Sequence, residues 1–363
     1  MLNALTIDVE DYFQVHAFSD VIHPENWDSF EPRVERNTYH LLDLLDSCHG
    51  PRTTDNGPSR TPRATFFILG WIAERYPLLV KEIHARGHEV ACHGYAHKRI
   101  GSQTKEEFKE DVTRAKAILQ DIIGSEVIGY RAPTYSVARE TVWALEILFE
   151  LGFHYDSSIF PVKHDYYGFH EAPRFPFYID FSDGDLLSQF KNPKYLDVSR
   201  LKPLTSNLQR GEASRLQPPT SNLERGEASR LQPPTFNLKR AEGPSPHASC
   251  SMPKWFVEFP ISTLTFFGRS MPFSGGGYFR LFPYRYSRWA FRKMNEQFGQ
   301  AVIFYIHPWE LDSKLPKVKA ASLLPRLRTY VNLEKTEGKF SRLLGEFEFA
   351  PLTCILKRFG VRP

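Results

Sequence analysis

The sequence predicts an α/β fold built on a parallel sheet or barrel, and two observations lead there. Short apolar, strand-like runs alternate with segments whose apolar residues recur at i, i+3 and i+4. Several of the strand-like runs also end in an acid, a histidine or an arginine. Alternating βα units pack helices over a parallel sheet, and in such folds the reactive groups gather where strands end. With 363 residues and 41% hydrophobic content, the chain has material for one large domain or two, with a substantial core.

The first run, Ala4 to Val9, is an apolar strand interrupted by Asp8, with Glu10 and Asp11 directly behind it. Buried acids are costly unless paired or bound to a cation, so this acidic strand end marks a site. The plainer alternative is a helix N-cap and first turn rich in Asp and Glu. His49 to Arg63, rich in Pro, Thr and Arg, reads as a loop insertion. Ala64 to Leu69 is the next strand, Tyr76 to Arg86 a helix, and Arg86 to Ala91 a turn into another short strand. That strand runs into Cys92-His93-Gly94-Tyr95-Ala96-His97. Two histidines four positions apart can share one face of a helix or a tightening turn and offer two imidazole nitrogens to one metal ion.

Lys105 to Gly124 and Thr141 to Leu151 carry helical apolar spacing, with Lys105 to Glu110 as a solvated face. Between them, Val127 to Tyr130 is a strand ending in Arg131 and a proline-stiffened turn at Pro133. Late in the chain, Ala301 to Ile306 delivers His307 at its C-terminal end. The other histidines lack a partner at convincing spacing and read as surface or satisfied core residues. Trp309, after the last strand, reads as packing before it reads as a sugar platform.

One region does not belong to the fold. Thr205 to Pro219 recurs almost unchanged at 220–234 and begins again at Thr235, a period of 15 residues. Residues 201–240 hold seven basic and three acidic residues, a net of +4 that equals the formal charge of the whole chain. The basic pI therefore reports an insert and gives no argument for nucleic acid. Without aromatics before Phe236, the repeat buries too little surface to offset its ordering entropy, so a disordered insertion is expected. No apolar segment reaches membrane-spanning length, and no leader-like segment precedes the first strand. The four cysteines form no metal-spacing motif. A cytoplasmic, reduced protein is the expectation.

Asp8, the His93–His97 pair, Arg131-Ala132-Pro133 and His307 arrive in the order seen in polysaccharide deacetylases of the NodB-homology type (carbohydrate esterase family 4), and the chain resembles that family. Ala64-Thr65-Phe66-Phe67 resembles its A-T-F-F strand. Phe259 to Ser262 and Gly275 to Arg280 resemble the C-terminal region of the subgroup associated with exosortase and exopolysaccharide gene clusters. The likeness covers most of the chain except roughly 48–63 and 183–250. It implies a distorted, incomplete (β/α) barrel of about seven strands, split by the insertion. The expected organisation is a catalytic barrel over 1–182 and 251–350, the repeat insertion over 183–250, and a C-terminal tail over 351–363.

The resemblance further implies a divalent cation, Zn²⁺ foremost, on His93, His97 and one acid, polarising an acetamide carbonyl. Two departures from the family pattern stand out. Gly94 replaces a small hydroxyl residue, and the usual pair of adjacent aspartates is here Asp8 followed by Val9, Glu10 and Asp11. Strand alternation favours Glu10 as the ligand; Asp11 reaches instead if the strand has already turned. Asp8 then serves as base held by Arg131, His307 as acid, a backbone N–H near Thr134 as oxyanion donor, and Asp156 as a support for Arg131. The implied activity is N-deacetylation of an exopolysaccharide or its precursor, with peripheral contact to membrane-linked glycan machinery. The rivals are a metal-dependent amidase acting on a small non-peptide C–N bond and a non-catalytic glycan-binding protein.

Overall fold

The computed structural model describes residues 1–50, 61–163, 168–182, 184–197, 256–266, 269–318 and 323–359. The 15-residue repeats and the Pro-rich loop over 51–60 lie outside the described residues. In chain order the strands are β1 Leu2–Val9, β2 Thr65–Ile68, β3 Glu89–Cys92, β4 Gly129–Tyr130, β5 Tyr155–Asp156, β6 Phe177–Ile179, β7 Lys194–Tyr195, β8 Phe256–Glu258, β9 Thr263–Phe266, β10 Arg269–Pro272, β11 Ile303–Ile306 and β12 Glu348–Ala350. The helices are α1 Val34–Ser47, α2 Gly70–Arg75, α3 Pro77–Ala85, α4 Lys105–Ile123, α5 Trp143–Glu150, α6 Leu186–Lys191, α7 Gly276–Leu281, α8 Tyr284–Arg292, α9 Leu323–Tyr330, α10 Leu333–Glu346 and α11 Leu352–Arg358.

The main sheet runs β11-β1-β2-β3-β4-β5-β8 with every pairing parallel, as the alternating βα pattern predicts. That gives seven parallel strands in a curled, open sheet. β6 and β7 extend the β8 edge antiparallel, and β12 runs parallel beside the start of β1. A parallel strand covered on both faces reads as continuous apolar sequence, and all eight residues of β1 are buried. Two serines stitch the open side. Ser262 Oγ accepts from the Ile303 N–H (2.9 Å), Ser274 Oγ donates to the Ser262 carbonyl (2.7 Å), and the Tyr305 N–H reaches the Ser274 carbonyl (2.9 Å).

Local chemistry sets the helices. Thr104 and Glu107 close a reciprocal capping box at the start of α4, and Gly124, in the left-handed region, ends it. Phe108, Val112, Ala115 and Leu119 then form the buried stripe against the sheet. Residues 12–30 form a long excursion after β1. Its Tyr12, Phe13, Phe18, Ile22 and Trp27 pack with Trp309, Leu315, Val318 and Leu333, which draws the end of β1 toward the segment after β11.

Two expected boundaries move. Residues 185–195, placed by sequence in the insertion, form α6, capped by the Asp185 carboxylate, and the edge strand β7. The expected C-terminal tail is α11. Its Leu352, Ile355 and Leu356 are buried, the Leu352 N–H donates to Thr65 Oγ1 (2.8 Å), and the Thr353 N–H donates to Glu89 Oε2 (3.1 Å). An apolar i, i+3, i+4 set at 352, 355 and 356 carried that information. No described helix is long and apolar enough to cross a membrane.

Candidate metal and acid–base site

The site lies where β1, β3, β4, β5 and β11 end. Alternation along β1 puts Thr6 and Asp8 on one face, and Arg131, one residue past β4, meets both. Its Nη1 donates to Asp8 Oδ1 (2.7 Å) and Thr6 Oγ1 (2.8 Å). Its Nε and Nη2 donate to the Ser157 carbonyl and Oγ (2.9 and 2.8 Å), and the guanidinium lies 4.2 Å from the centre of the Phe67 ring. Arg131 is fully buried, so each donor needs the partner it has. Tyr135 Oη donates to the other oxygen of Asp8, Oδ2 (3.0 Å). Burial alone would push the Asp8 carboxyl up; Arg131, with His93 and His307, outweighs it and holds the group below its ordinary value.

Glu10 and Asp11 take different parts. The Glu10 N–H turns back to the Asp8 carbonyl (3.1 Å), keeping Glu10 on the Asp8 side. Glu10 Oε2 lies 2.6 Å from His97 Nε2, and one ligand atom each from Glu10, His93 and His97 fall within 4.8 Å of one another. Asp11 points away. Its Oδ2 accepts the N–H groups of Arg33 and Val34 (2.6 and 2.9 Å), and its Oδ1 accepts from the Tyr12 N–H (2.9 Å). It anchors the start of α1, which is the plainer reading of an acid near a helix N-terminus. Burial raises the Asp11 carboxyl to about 6 against those donors.

The histidine pair sits on a tight loop, not on a helix face. Gly94 and His97 both have left-handed φ, 73° and 52°, and from α4 the Asp111 carboxylate accepts the Tyr95 and Ala96 N–H groups (2.7 and 3.3 Å). A residue with a β-carbon is disfavoured at φ of 73°, which accounts for glycine at 94. His93 Nδ1 pairs with the Arg131 carbonyl (2.8 Å), which fixes the proton there and leaves Nε2 as a lone-pair donor. Burial lowers His93 to about 4, so it is neutral and ligand-competent near neutral pH. Two imidazoles and an ionised carboxylate fit a first-row divalent cation.

On the opposite side, His307 Nε2 lies 3.3 Å from Glu10 Oε1 and 3.9 Å from Asp8 Oδ2. Its Nδ1 pairs with Glu310 Oε1 (2.7 Å), and Arg280 Nε donates to Glu310 Oε2 (2.6 Å). The remaining Arg280 donors hold the carbonyls of Arg328, Thr329 and Val331. A β-carbon at Gly276 would collide with the Glu310 carboxylate. Trp309 is buried and stacks on His307, with centroids 5.2 Å apart, so it backs the imidazole and offers no sugar platform. Burial disfavours the imidazolium, but Glu10, Glu310 and Asp8 outweigh burial and raise His307 to about 9.

Thr134 and Tyr135 both have left-handed φ, 58° and 49°. With His97 they are three of the four non-glycine residues of that kind among the described residues, and such strain collects at functional sites. The Tyr135 N–H donates to the Ala132 carbonyl (3.1 Å), which leaves the Thr134 N–H as the candidate oxyanion donor of this turn. The expectation for Asp156 needs correction. Its carboxylate accepts from the Ser158 N–H and Oγ (3.1 and 2.5 Å) and adjoins buried Glu258, so Ser157 and not Asp156 holds Arg131. Asp156 acts one bond removed, through Ser158 Oγ, which accepts the Ala132 N–H (2.7 Å). Glu310, Arg280, Tyr135, Ser157 and Asp111 escaped sequence reading. Only Glu310, three residues after His307, carried a local spacing signal.

An open parallel barrel that brings a buried carboxylate, an imidazole and a metal-competent cluster to its strand ends defines a class of hydrolase-like sites. Residues 59–155, from the approach to β2 through the start of β5, match the polysaccharide deacetylase family, and the chain carries a polysaccharide deacetylase domain of the NodB-homology kind. Residues 237–357 match a second family, a domain of unknown function (DUF3473); this region supplies Arg280, His307 and Glu310.

The chain is 31% identical over 97 residues to the peptidoglycan deacetylase-like protein FGM2 of Gibberella zeae, covering 27% of this chain and 28% of that protein. It is 29% identical over 97 residues to a peptidoglycan-N-acetylglucosamine deacetylase of Bacillus cereus, covering 26% of this chain and 35% of the relative. The chain thus spans about a third or less of the length of these curated relatives. A Mycobacterium smegmatis crystal structure assigned to the polysaccharide deacetylases has the same fold, with a TM-score of 0.50 and 15% identity over 98% of this chain and 89% of that one.

Proposed function

We propose that the chain is a divalent-metal-dependent hydrolase that removes N-acetyl groups from amino sugars of a polysaccharide and releases acetate. The observation that carries this reading is the convergence of Glu10, His93 and His97 beside the Arg131-held Asp8, with His307 facing both acids. Glu10, His93 and His97 would hold the cation, with Zn²⁺ the first choice, and it would supply Lewis acidity to the acetamide carbonyl.

The chain's own residues do the proton work. Asp8 takes the proton of the attacking water at Oδ2, which carries the hydrogen bond from Tyr135 Oη, while Oδ1 holds the ion pair with Arg131. Tyr135 Oη and Arg131 keep that carboxylate ionised and aimed. His307, protonated and steadied through Nδ1 by Glu310, gives its Nε2 proton to the leaving amine. Base and acid with pKa values pushed apart suit a reaction near neutral pH. The Thr134 N–H is positioned to meet the developing oxyanion.

An exopolysaccharide or its precursor is the substrate we favour, since the two peptidoglycan-named relatives resemble this chain over only about a quarter of its length, and residues 237–357 match a further family, DUF3473. Cys48, Cys92 and Cys354 are free thiols, in keeping with a reducing, cytoplasmic setting. The test is acetate release from defined N-acetylhexosamine oligomers, with chelation and metal add-back. Activity lost on chelation and restored by a divalent ion supports the reading. A folded, metal-loaded chain that releases no acetate, or turnover indifferent to chelation, refutes it. Alanine at His93 or His97 should remove metal and activity together, whereas alanine at His307 should spare the metal.

A further inference from the structure

On the flank of the barrel, a run of aromatic side chains and cations touches end to end. Phe282 and Tyr286 rings lie 4.8 Å apart, Tyr286 and Trp289 5.9 Å, Phe298 and Phe175 6.3 Å, and Phe175 and Tyr195 6.1 Å. Lys293 bridges the two halves, 5.1 Å from the Trp289 ring and 6.0 Å from the Phe298 ring. Leu281, Trp289, Phe298 and Tyr195 are exposed at 54%, 44%, 40% and 49%, among the few large apolar side chains so open to solvent. Single exposed apolar residues need no explanation; a contiguous run of them does.

α8 shows how the surface is organised. Tyr284, Ser287, Ala290 and Phe291 face the core, while Arg285, Trp289 and Arg292, at i, i+4 and i+7, form its outer stripe. Arg288 is paired with Glu346, but Arg285, Arg292 and Lys293 form no ion pair with any described residue. The outer stripe of α8 with Lys293 is therefore basic, exposed Glu296 being the acid that follows it.

We propose that this flank is a docking surface for an anionic phospholipid bilayer. Trp and Tyr with Leu, Phe and unpaired Arg and Lys is the mixture that seats at a headgroup boundary, apolar parts inward and cations against phosphate. The competing occupant, an anionic polysaccharide, fits less well. Sugars stack on open ring faces, and here Lys293 and Tyr286 cover Trp289 while neighbouring rings meet at tilts of 35° to 62°.

The test is co-sedimentation of the full chain with vesicles of phosphatidylcholine alone and with about one third phosphatidylglycerol. Binding is expected only to the anionic vesicles and should fall at high salt. Each cation removed near the surface should weaken partitioning about fivefold, so Arg285→Gln with Arg292→Gln should weaken it about 25-fold. Trp289→Ala should also weaken it, with melting temperature and acetate release from a soluble oligomer unchanged. No vesicle binding, wild-type binding by the Arg285→Gln/Arg292→Gln pair, or retention by soluble alginate but not by vesicles overturns the proposal. Vesicle binding does not depend on turnover, so it stands or falls separately from the proposed deacetylation; His93→Ala should bind as the parent chain does.

Discussion

Asp11→Ala and Glu10→Gln should separate two acids that the sequence sets side by side. Asp11 holds three backbone N–H groups, those of Tyr12, Arg33 and Val34. Val34 is only 1% exposed, so losing its acceptor leaves a buried donor unsatisfied at a cost of about 2 kcal/mol. The other two bonds add about 1 kcal/mol each, less what entering water restores. In a folded unit of this size a loss of about 3 kcal/mol lowers the melting temperature by roughly 4 to 5 °C. Metal content should hold, because Asp11 touches neither imidazole. Glu10→Gln should do the reverse: it strips the carboxylate from the His93–His97 cluster and leaves the start of α1 untouched. The assays are metal content after dialysis and calorimetry of the metal-free chains. An Asp11→Ala chain that loses metal while keeping its melting temperature, or a Glu10→Gln chain that binds metal as the parent does, refutes this division of labour.

Three further outcomes are expected. Glu310→Gln, and Gly276→Ala by displacing the same carboxylate, should lower kcat about ten- to a hundredfold, a share of what a positioned acid contributes. KM and metal content should hold, and wild-type kcat in both variants would remove Glu310 from the acid side. His88 is buried and lowered to about 4, with Nδ1 accepting the Ala64 N–H. Since the unfolded chain takes up that proton near pH 6.5, stability should be full above that value and decline by up to about 3 kcal/mol as pH falls toward 4. Denaturant midpoints across that window for the parent and His88→Gln check it, and parallel curves would count against it. Ile355→Ala should cost about 2 to 5 kcal/mol as a buried large-to-small change; an unchanged denaturation midpoint would mean that α11 is not part of the core.

Much of the architecture was legible in the sequence because parallel strands and their covering helices announce themselves locally. Ala4–Val9 and Ala301–Ile306 are apolar runs that carry or deliver a reactive residue, Asp8 and His307, and each is a strand ending in the site; Ala64–Leu69 is an apolar run that forms the strand next to the first of them. His93, His97, Arg131 and His307 were likewise readable as strand-end groups. What was not readable depends on distance along the chain. Arg280 reaches Glu310 across 30 positions, Tyr135 reaches Asp8 across 127, and no periodicity records such pairs. The choice between Glu10 and Asp11 rested on where α1 begins, more than twenty residues later. Asp156 was misread because a serine one position on does the work assigned to it.

β1 has β11 on one side and, on the other, β12 beside its start and β2 beside its C-terminal half. Its first neighbour is made about sixty residues after it; its second only after residue 303. During synthesis β1 therefore waits with one apolar edge unpaired, a state prone to aggregation, while most of the chain is made. The strand that covers this edge also delivers His307. A chain that ends before that point holds Glu10, His93 and His97 but lacks both this edge strand and His307.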